Sequence, residues 1–182
     1  MNDLVAIHFQ KLERSKEKVL ELLASKKAEE ITWNDGASWS MVQAMRHVMI
    51  SEKMSLAYLR KKSLAGDQLK ERPLLPRLSL LLLFSVFLFR FKFKAPKILA
   101  SPEVTSLDEL RKDWDALRTE MEQFFTEFPD KWLTKAVYKH PFLGMLNAVD
   151  ALRFFNAHLM HHIRQVHRIE SKLRKSGVGG SK

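Results

Sequence analysis

Four stretches of the chain repeat their hydrophobic positions with the three-to-four-residue spacing of an amphipathic helix. They run from about Leu4 to Lys27, from Ser40 to about Leu64, from Ser106 to Phe128, and from about Asn147 to Lys175. All six prolines lie outside these stretches, as expected because proline disrupts a helix interior. The pattern therefore predicts an all-α protein, built as a four-helix bundle.

Polar residues at the helix starts support these boundaries. The second and third stretches open with Ser40 followed by Gln43 and with Ser106 followed by Glu109. In such a capping box, the two side chains satisfy backbone N–H groups that have no partner within the helix. The sequence therefore predicts that both helices begin at these serines.

The connections between the helices differ greatly in length. About a dozen residues join the first helix to the second, whereas about forty separate the second from the third. A short link makes neighbouring helices antiparallel, and a long crossover allows the next two to run parallel. We therefore expect an up-down-down-up bundle over residues 1–176, with a disordered tail over residues 177–182.

The long crossover contains an unusually apolar segment. Leu78–Phe89 carries no charge and is flanked by Arg77 and Arg90. A helix that spans a bilayer needs about 18 or more apolar residues, so this segment is too short. We expect an extra helix that packs against the bundle or a partner subunit, and a membrane-surface helix is the alternative. The alternating residues 89–94 are expected to form an extended connector, with stacking on single-stranded nucleic acid as the alternative.

The amino-acid composition limits the kinds of metal site and cross-link that the chain can form. The chain has 182 residues and no cysteine, which excludes disulfides and metal sites that depend on thiolates. Any metal must therefore be held by histidine or carboxylate side chains. The start of the sequence lacks the basic and apolar regions of a secretory signal, so we expect a cytoplasmic protein.

The net charge of +10 is concentrated in residues 60–97 and 164–182. A basic surface can attract nucleic acid or anionic lipid, although a solvated surface is the commoner explanation. The sequence contains no helix-turn-helix or zinc-finger pattern, so we do not expect a role in nucleic-acid binding.

The fourth helix carries three histidines at close spacing. His158 and His162 are four residues apart, which places both rings on one face of the helix. At about 100° per residue, His162 lies about 30° from the centre of the apolar stripe and His158 about 70°. His161 lies about 130° away, toward solvent. The spacing predicts that His158 and His162, and not His161, face the core.

His47 on the second helix is the third candidate ligand, because small side chains such as Ala44 and Ser51 leave room beside it. Three neutral imidazoles with one open position form a known catalytic metal geometry. A core histidine that is simply hydrogen-bonded is the alternative. Spacing alone therefore leaves metal binding open.

Several motifs of this chain occur together in one known family. They are Ser38-Trp39-Ser40, the pair His47 and Glu52, the segment Phe91–Lys97, the segment Tyr138–Gly144, and the spacing His-x3-His-x2-Gln at His158, His162 and Gln165. With these motifs, the chain resembles the DinB-like family of helical bundles over nearly its whole length.

The resemblance implies an up-down-down-up bundle, often a homodimer, with a divalent metal held by His47, His158 and His162. It also implies a metal-dependent hydrolase, or a transferase that uses a low-molecular-weight thiol, acting on a small molecule. Zinc or nickel is the metal that we expect. Since the chain has no cysteine, the thiol must come from a cosubstrate.

Two further residues lie within these motifs, and one other function is compatible with the sequence. Glu52 is about 140° round the helix from His47 and is a poor direct partner. His140 is expected to cap the turn before the fourth helix, and an acid–base role at the site is the alternative. The alternative function is a non-catalytic bundle that docks on a membrane surface or protein partner through its crossover.

Overall fold

The computed structural model describes residues 1–72, 102–140 and 143–177. Within them the helices are α1 (Asp3–Ala24), α2 (Ala28–Thr32), α3 (Met41–Ser63), α4 (Leu107–Glu127) and α5 (Ala148–Lys175). Strands β1 (Tyr138–His140) and β2 (Gly144–Leu146) form an antiparallel hairpin, and short 3-10 turns occupy Gly66–Gln68 and Asp130–Trp132. The predicted extra helix at Leu78–Phe89, the extended residues 89–94, and residues 178–182 of the predicted tail lie outside the described residues.

The predicted helix starts are confirmed. The Ser40 hydroxyl accepts a hydrogen bond from the Gln43 N–H, and the Gln43 side chain accepts one from the Ser40 N–H. Ser106 and Glu109 form the same reciprocal pair at the start of α4. Each cap fixes where its helix begins, and therefore which face the following residues present to the core.

Contacts between side chains give the direction of each helix. Successive residues along α1 contact α4 in the reverse order of its sequence, but they contact α5 in the same order as its sequence. The α4 pairs are Glu13 with Arg118 and Lys16 with Asp115, and the α5 pairs are His8 with Arg153 and Lys26 with Glu170. Helix α1 is therefore antiparallel to α4 and parallel to α5.

Helix α3 has the opposite relation to these two helices. It runs parallel to α4, because Arg46 contacts Asp113 and Arg60 contacts Glu120. Helix α3 runs antiparallel to α5, since His47 lies near the middle of α5 while Ser55 reaches the hairpin that precedes it. The predicted up-down-down-up bundle is confirmed. Both α1 and α3 pack against α4 and α5, so α1 and α3 occupy opposite corners.

Two regions differ from the sequence-based expectation. The first helix ends at Ala24 rather than Lys27, because Lys27 adopts an extended backbone and begins the short helix α2. The β-hairpin before α5 was not predicted, since its three-residue strands are too short to show a period. The hairpin is anchored to α3 by a 2.9 Å hydrogen bond between the hydroxyls of Tyr138 and Ser55.

The core lies along the bundle axis and includes fully buried leucines, methionines and large aromatic side chains. Its largest fully buried members include Trp114, Phe125, Phe155, Leu12 and Leu20. Burying a side chain of this size stabilises the fold by about 1.5–3 kcal/mol. Among the described residues, no helix is both long and apolar enough to cross a bilayer.

Candidate metal centre

Three histidines meet where α3 packs against α5. His47 lies two turns after the capped start of α3, and its side chain is 5% exposed. His162 is similarly buried, at 7% exposed, whereas His158 is partly exposed. Because the two helices are antiparallel, one residue near the start of α3 meets a pair near the middle of α5.

The three rings lie within contact distance of one another. The ring centroids are 5.5 Å apart for His47 and His158, 4.8 Å for His47 and His162, and 4.7 Å for His158 and His162. One ring nitrogen of each residue lies within 4.8 Å of the other two. The structure therefore brings together the three residues that the sequence predicted as ligands.

This donor set fits a divalent ion. The Nε2 atoms of His158 and His162 are 3.1 Å apart. Two nitrogens about 2.0–2.1 Å from one tetrahedral zinc ion are about 3.3 Å apart. These two rings therefore already have nearly the spacing that a shared ion requires, and three imidazole nitrogens suit zinc or nickel.

The environment keeps two of the three imidazoles, those of His158 and His162, neutral. Burial, together with the neighbouring histidines, holds the pKa of His158 well below its ordinary value. Burial and the His47 and His161 rings lower the pKa of His162 to about 3. Neutral imidazole is the form that binds metals, so these two rings have the right protonation state at neutral pH.

His161 does not join the group that can hold an ion. Its ring packs edge-on against His162 at 5.1 Å, and its side chain is partly exposed. The helical-face argument placed His162 inward and His161 outward, and the structure confirms this orientation. A rotation of about 100° between consecutive residues is enough to separate them.

Aromatic side chains flank the three histidines on two sides. The Trp39 ring lies 4.8 Å from that of His47 and 6.3 Å from that of His162. On the other side, the Phe154 ring stacks on His158 at 5.8 Å. In the sequence, Trp39 was recognised only as part of a motif, and no contact of Phe154 with the histidines was predicted. The four-residue spacing between Phe154 and His158 was the signal available, because it places both on one helical face.

His140 stays outside the cluster and has a structural contact. The backbone N–H of Leu143 donates a 3.1 Å hydrogen bond to Nδ1 of His140, which closes the turn between β1 and β2. The ring packs edge-on against Phe154 at 4.3 Å, and burial lowers the pKa of His140 to about 4. The expected capping role of His140 is confirmed.

Comparison with known proteins identifies the family of this chain. A family model described as the DinB superfamily matches residues 11–166, which is most of the chain. The chain belongs to the DinB superfamily. No curated protein matches it.

A solved structure shares the DinB-superfamily fold. It is YfiT from Bacillus subtilis, described as a probable metal-dependent hydrolase with an unusual four-helix bundle topology. The two chains are 16% identical, and the match covers 97% of this chain and 90% of YfiT with a TM-score of 0.60. At this identity the similarity establishes the fold.

Glu52, the other residue of the DinB-like His-x4-Glu motif, belongs to a separate buried network. Its carboxylate accepts a 2.7 Å hydrogen bond from Nε1 of Trp114 and a 2.9 Å bond from Nη2 of Arg118. Burial raises the pKa of Glu52, although the Arg118 charge opposes that shift. Arg118 in turn pairs with Glu13 on α1. The network ties α3, α4 and α1 together.

A cavity of about 460 Å³ lies between α1 and α4, beside this network. Its lining includes charged side chains of both signs, among them Glu13, Lys16, Asp115 and Arg118. Lys16 is only 3% exposed and contacts three carboxylates, from Glu13, Glu17 and Asp115. The cavity does not include the three histidines. These four charged side chains of its lining already form ion pairs within the fold, so the histidine cluster is the better candidate for chemistry.

Proposed function

We propose that this DinB-superfamily protein is a metal-dependent enzyme that acts on a small molecule. In this proposal, His47, His158 and His162 hold one divalent ion, zinc or nickel. The observation that supports it most directly is the convergence of three ring nitrogens within 4.8 Å. Burial keeps two of these rings neutral by lowering the pKa of His158 and of His162, and a buried polar group needs a partner to offset its desolvation.

The surrounding residues have definable tasks. The histidines supply lone pairs from two helices whose positions are fixed by caps and core packing, so little rearrangement is needed for binding. Trp39 and Phe154 flank the rings and limit the access of water to them. When bound, a divalent ion supplies Lewis acidity, which polarises a substrate oxygen or favours the anionic form of a water or thiol.

The charges around the site favour an anionic ligand. Among the described residues, the charged groups that most lower the pKa of His158 and His162 include other histidines and Arg168. Three neutral imidazoles leave the full charge of a divalent ion to be balanced by whatever fills the open position. A hydroxide, a carboxylate or a thiolate meets that requirement.

Two reaction classes agree with this arrangement. Hydrolysis agrees with the description of YfiT as a probable metal-dependent hydrolase. Transfer to a low-molecular-weight thiol is the other, and the thiol must be a cosubstrate because the chain has no cysteine. The homodimer and the cytoplasmic location stay predictions. Docking through the crossover also stays a prediction, because Leu78–Phe89 lies outside the described residues.

The activity is tested by metal reconstitution. Protein expressed without a histidine tag is stripped of metal and reloaded with zinc or nickel. It is then assayed against panels of activated esters and amides, and against electrophiles with a small thiol. We expect turnover that depends on the added metal and is lost in His47→Ala. Turnover that survives in His47→Ala at the wild-type rate contradicts the proposal.

A further inference from the structure

Gln165 contacts the candidate centre from the side opposite the proposed ion. Its Oε1 lies 2.8 Å from Nδ1 of His162, one helical turn away on α5. The other nitrogen of that ring, Nε2, faces Nε2 of His158 at 3.1 Å. The two nitrogens of His162 therefore have different partners, one from an amide and one within the histidine cluster.

This arrangement specifies which nitrogen of His162 carries the proton. A neutral imidazole has one N–H donor and one lone pair, and an amide oxygen can only accept a hydrogen bond. Because Oε1 of Gln165 faces Nδ1, the proton must lie on Nδ1. The lone pair then lies on Nε2, which is the atom directed at the other histidines.

We propose that Gln165 is a positioning residue that holds His162 in the Nδ1–H tautomer and directs its Nε2 lone pair at the metal. The inference rests on the proposed function, and it adds a residue that does not itself bind the ion. Metal-binding histidines commonly donate their second N–H to such a partner, which fixes both tautomer and ring orientation.

The opposite tautomer would work against metal binding. With the proton on Nε2, His162 would donate a hydrogen bond directly to Nε2 of His158 across 3.1 Å. Nε2 of His162 would then have no lone pair to offer at the place where the ion is proposed. Gln165 disfavours this state, because its oxygen would then face the lone pair of Nδ1 without a shared hydrogen.

Two substitutions separate hydrogen bonding from packing. Gln165→Met keeps a side chain of similar length but removes the acceptor, whereas Gln165→Glu keeps an acceptor oxygen. Gln123→Met is the matched control, since Gln123 is an exposed helical glutamine on α4 that bonds to Glu127. Urea unfolding of each variant verifies that the bundle is intact.

The first readout is the tautomer of His162 in metal-free protein, measured by two-bond ¹H–¹⁵N correlation spectra of the histidine rings. We expect the Nδ1–H form in the wild type, Gln165→Glu and Gln123→Met, with a shift toward Nε2–H in Gln165→Met. An unchanged tautomer in Gln165→Met overturns the inference. Because this readout needs no metal, it tests Gln165 even if the proposed function is wrong.

The second readout is the Kd for zinc, measured by competition with a chelator at fixed pH. Loss of such a supporting hydrogen bond typically weakens metal binding about 10–100-fold. We expect that loss for Gln165→Met, with Gln165→Glu and Gln123→Met staying within a few-fold of the wild type. An equal loss in Gln165→Glu and Gln165→Met would mean that packing, and not the acceptor, is responsible, and would overturn the inference.

Discussion

Replacing Arg118 by methionine should destabilise the bundle strongly, because it leaves the Glu52 carboxylate buried without its cation. Glu52 is 1% exposed and Arg118 is 3% exposed. Nη2 of Arg118 donates a 2.9 Å hydrogen bond to the Glu52 carboxylate, and Nε1 of Trp114 donates a second one of 2.7 Å. Methionine preserves much of the packing of the arginine stem, so the change isolates the charge.

The expected magnitude follows from the burial of both partners. Removing one member of a buried pair costs about 3–5 kcal/mol, because the remaining charge stays desolvated. The double variant Glu52→Gln, Arg118→Met should lose only about 1–2 kcal/mol, since glutamine is neutral and its carbonyl still accepts from Trp114. The free energy of unfolding in urea at pH 7 measures both values.

The loss of stability in Arg118→Met should also depend on pH. Burial already raises the pKa of Glu52 and the Arg118 charge opposes this, so removing Arg118 raises that pKa further. Above about pH 4.3 the unfolded carboxyl is ionised, whereas the folded variant must either keep its proton or hold a buried charge without its cation. The stability of Arg118→Met should therefore fall relative to wild type as the pH rises from about 5 to 7.

Two results would refute this reasoning. One is a loss below about 1 kcal/mol in Arg118→Met at pH 7, which would mean that Glu52 is stabilised by other groups. The other is a double variant as unstable as the single variant, which would assign the loss to packing rather than to charge.

Three smaller predictions concern local contacts. Ser40→Ala should lower the free energy of unfolding by about 1 kcal/mol in urea, because it removes the cap of α3. Lys26→Met should remove much of the stability in urea that the wild type has above about pH 4.3 and loses toward pH 2, since the 2.6 Å bond from Lys26, together with Arg174, lowers the pKa of Glu170 to about 2. Titration of metal-free protein with nickel should partly quench tryptophan fluorescence, and Trp39→Phe should remove most of that quench because the Trp39 ring lies 4.8 Å from that of His47.

The elements that could be predicted from the sequence depend on local rules. The capping boxes at Ser40 and Ser106 set the starts of two helices through hydrogen bonds between residues only three positions apart. The choice of His162 over His161 needed only the angle between consecutive helical residues. The same angle separated Glu52 from the face of His47, and the structure places Glu52 against Trp114 and Arg118 instead.

The features that could not be predicted depend on how distant segments meet. Which cation would reach Glu52 depends on the packing of α3 against α4, and no spacing encodes it. The contact of the Trp39 ring with the His47 ring depends on the path of the chain into α3. The contact of Gln165 with Nδ1 of His162 depends on a side-chain rotamer, although their three-residue spacing was compatible with it.

The metal content of tag-free protein is the most direct test of the central claim. Elemental analysis should give about one equivalent of zinc or nickel in the wild type and in His161→Ala, and almost none in His162→Ala. Only His162 of this adjacent pair faces the other two candidate ligands. Stoichiometric metal in His162→Ala, or its loss in His161→Ala, would contradict the three-histidine centre.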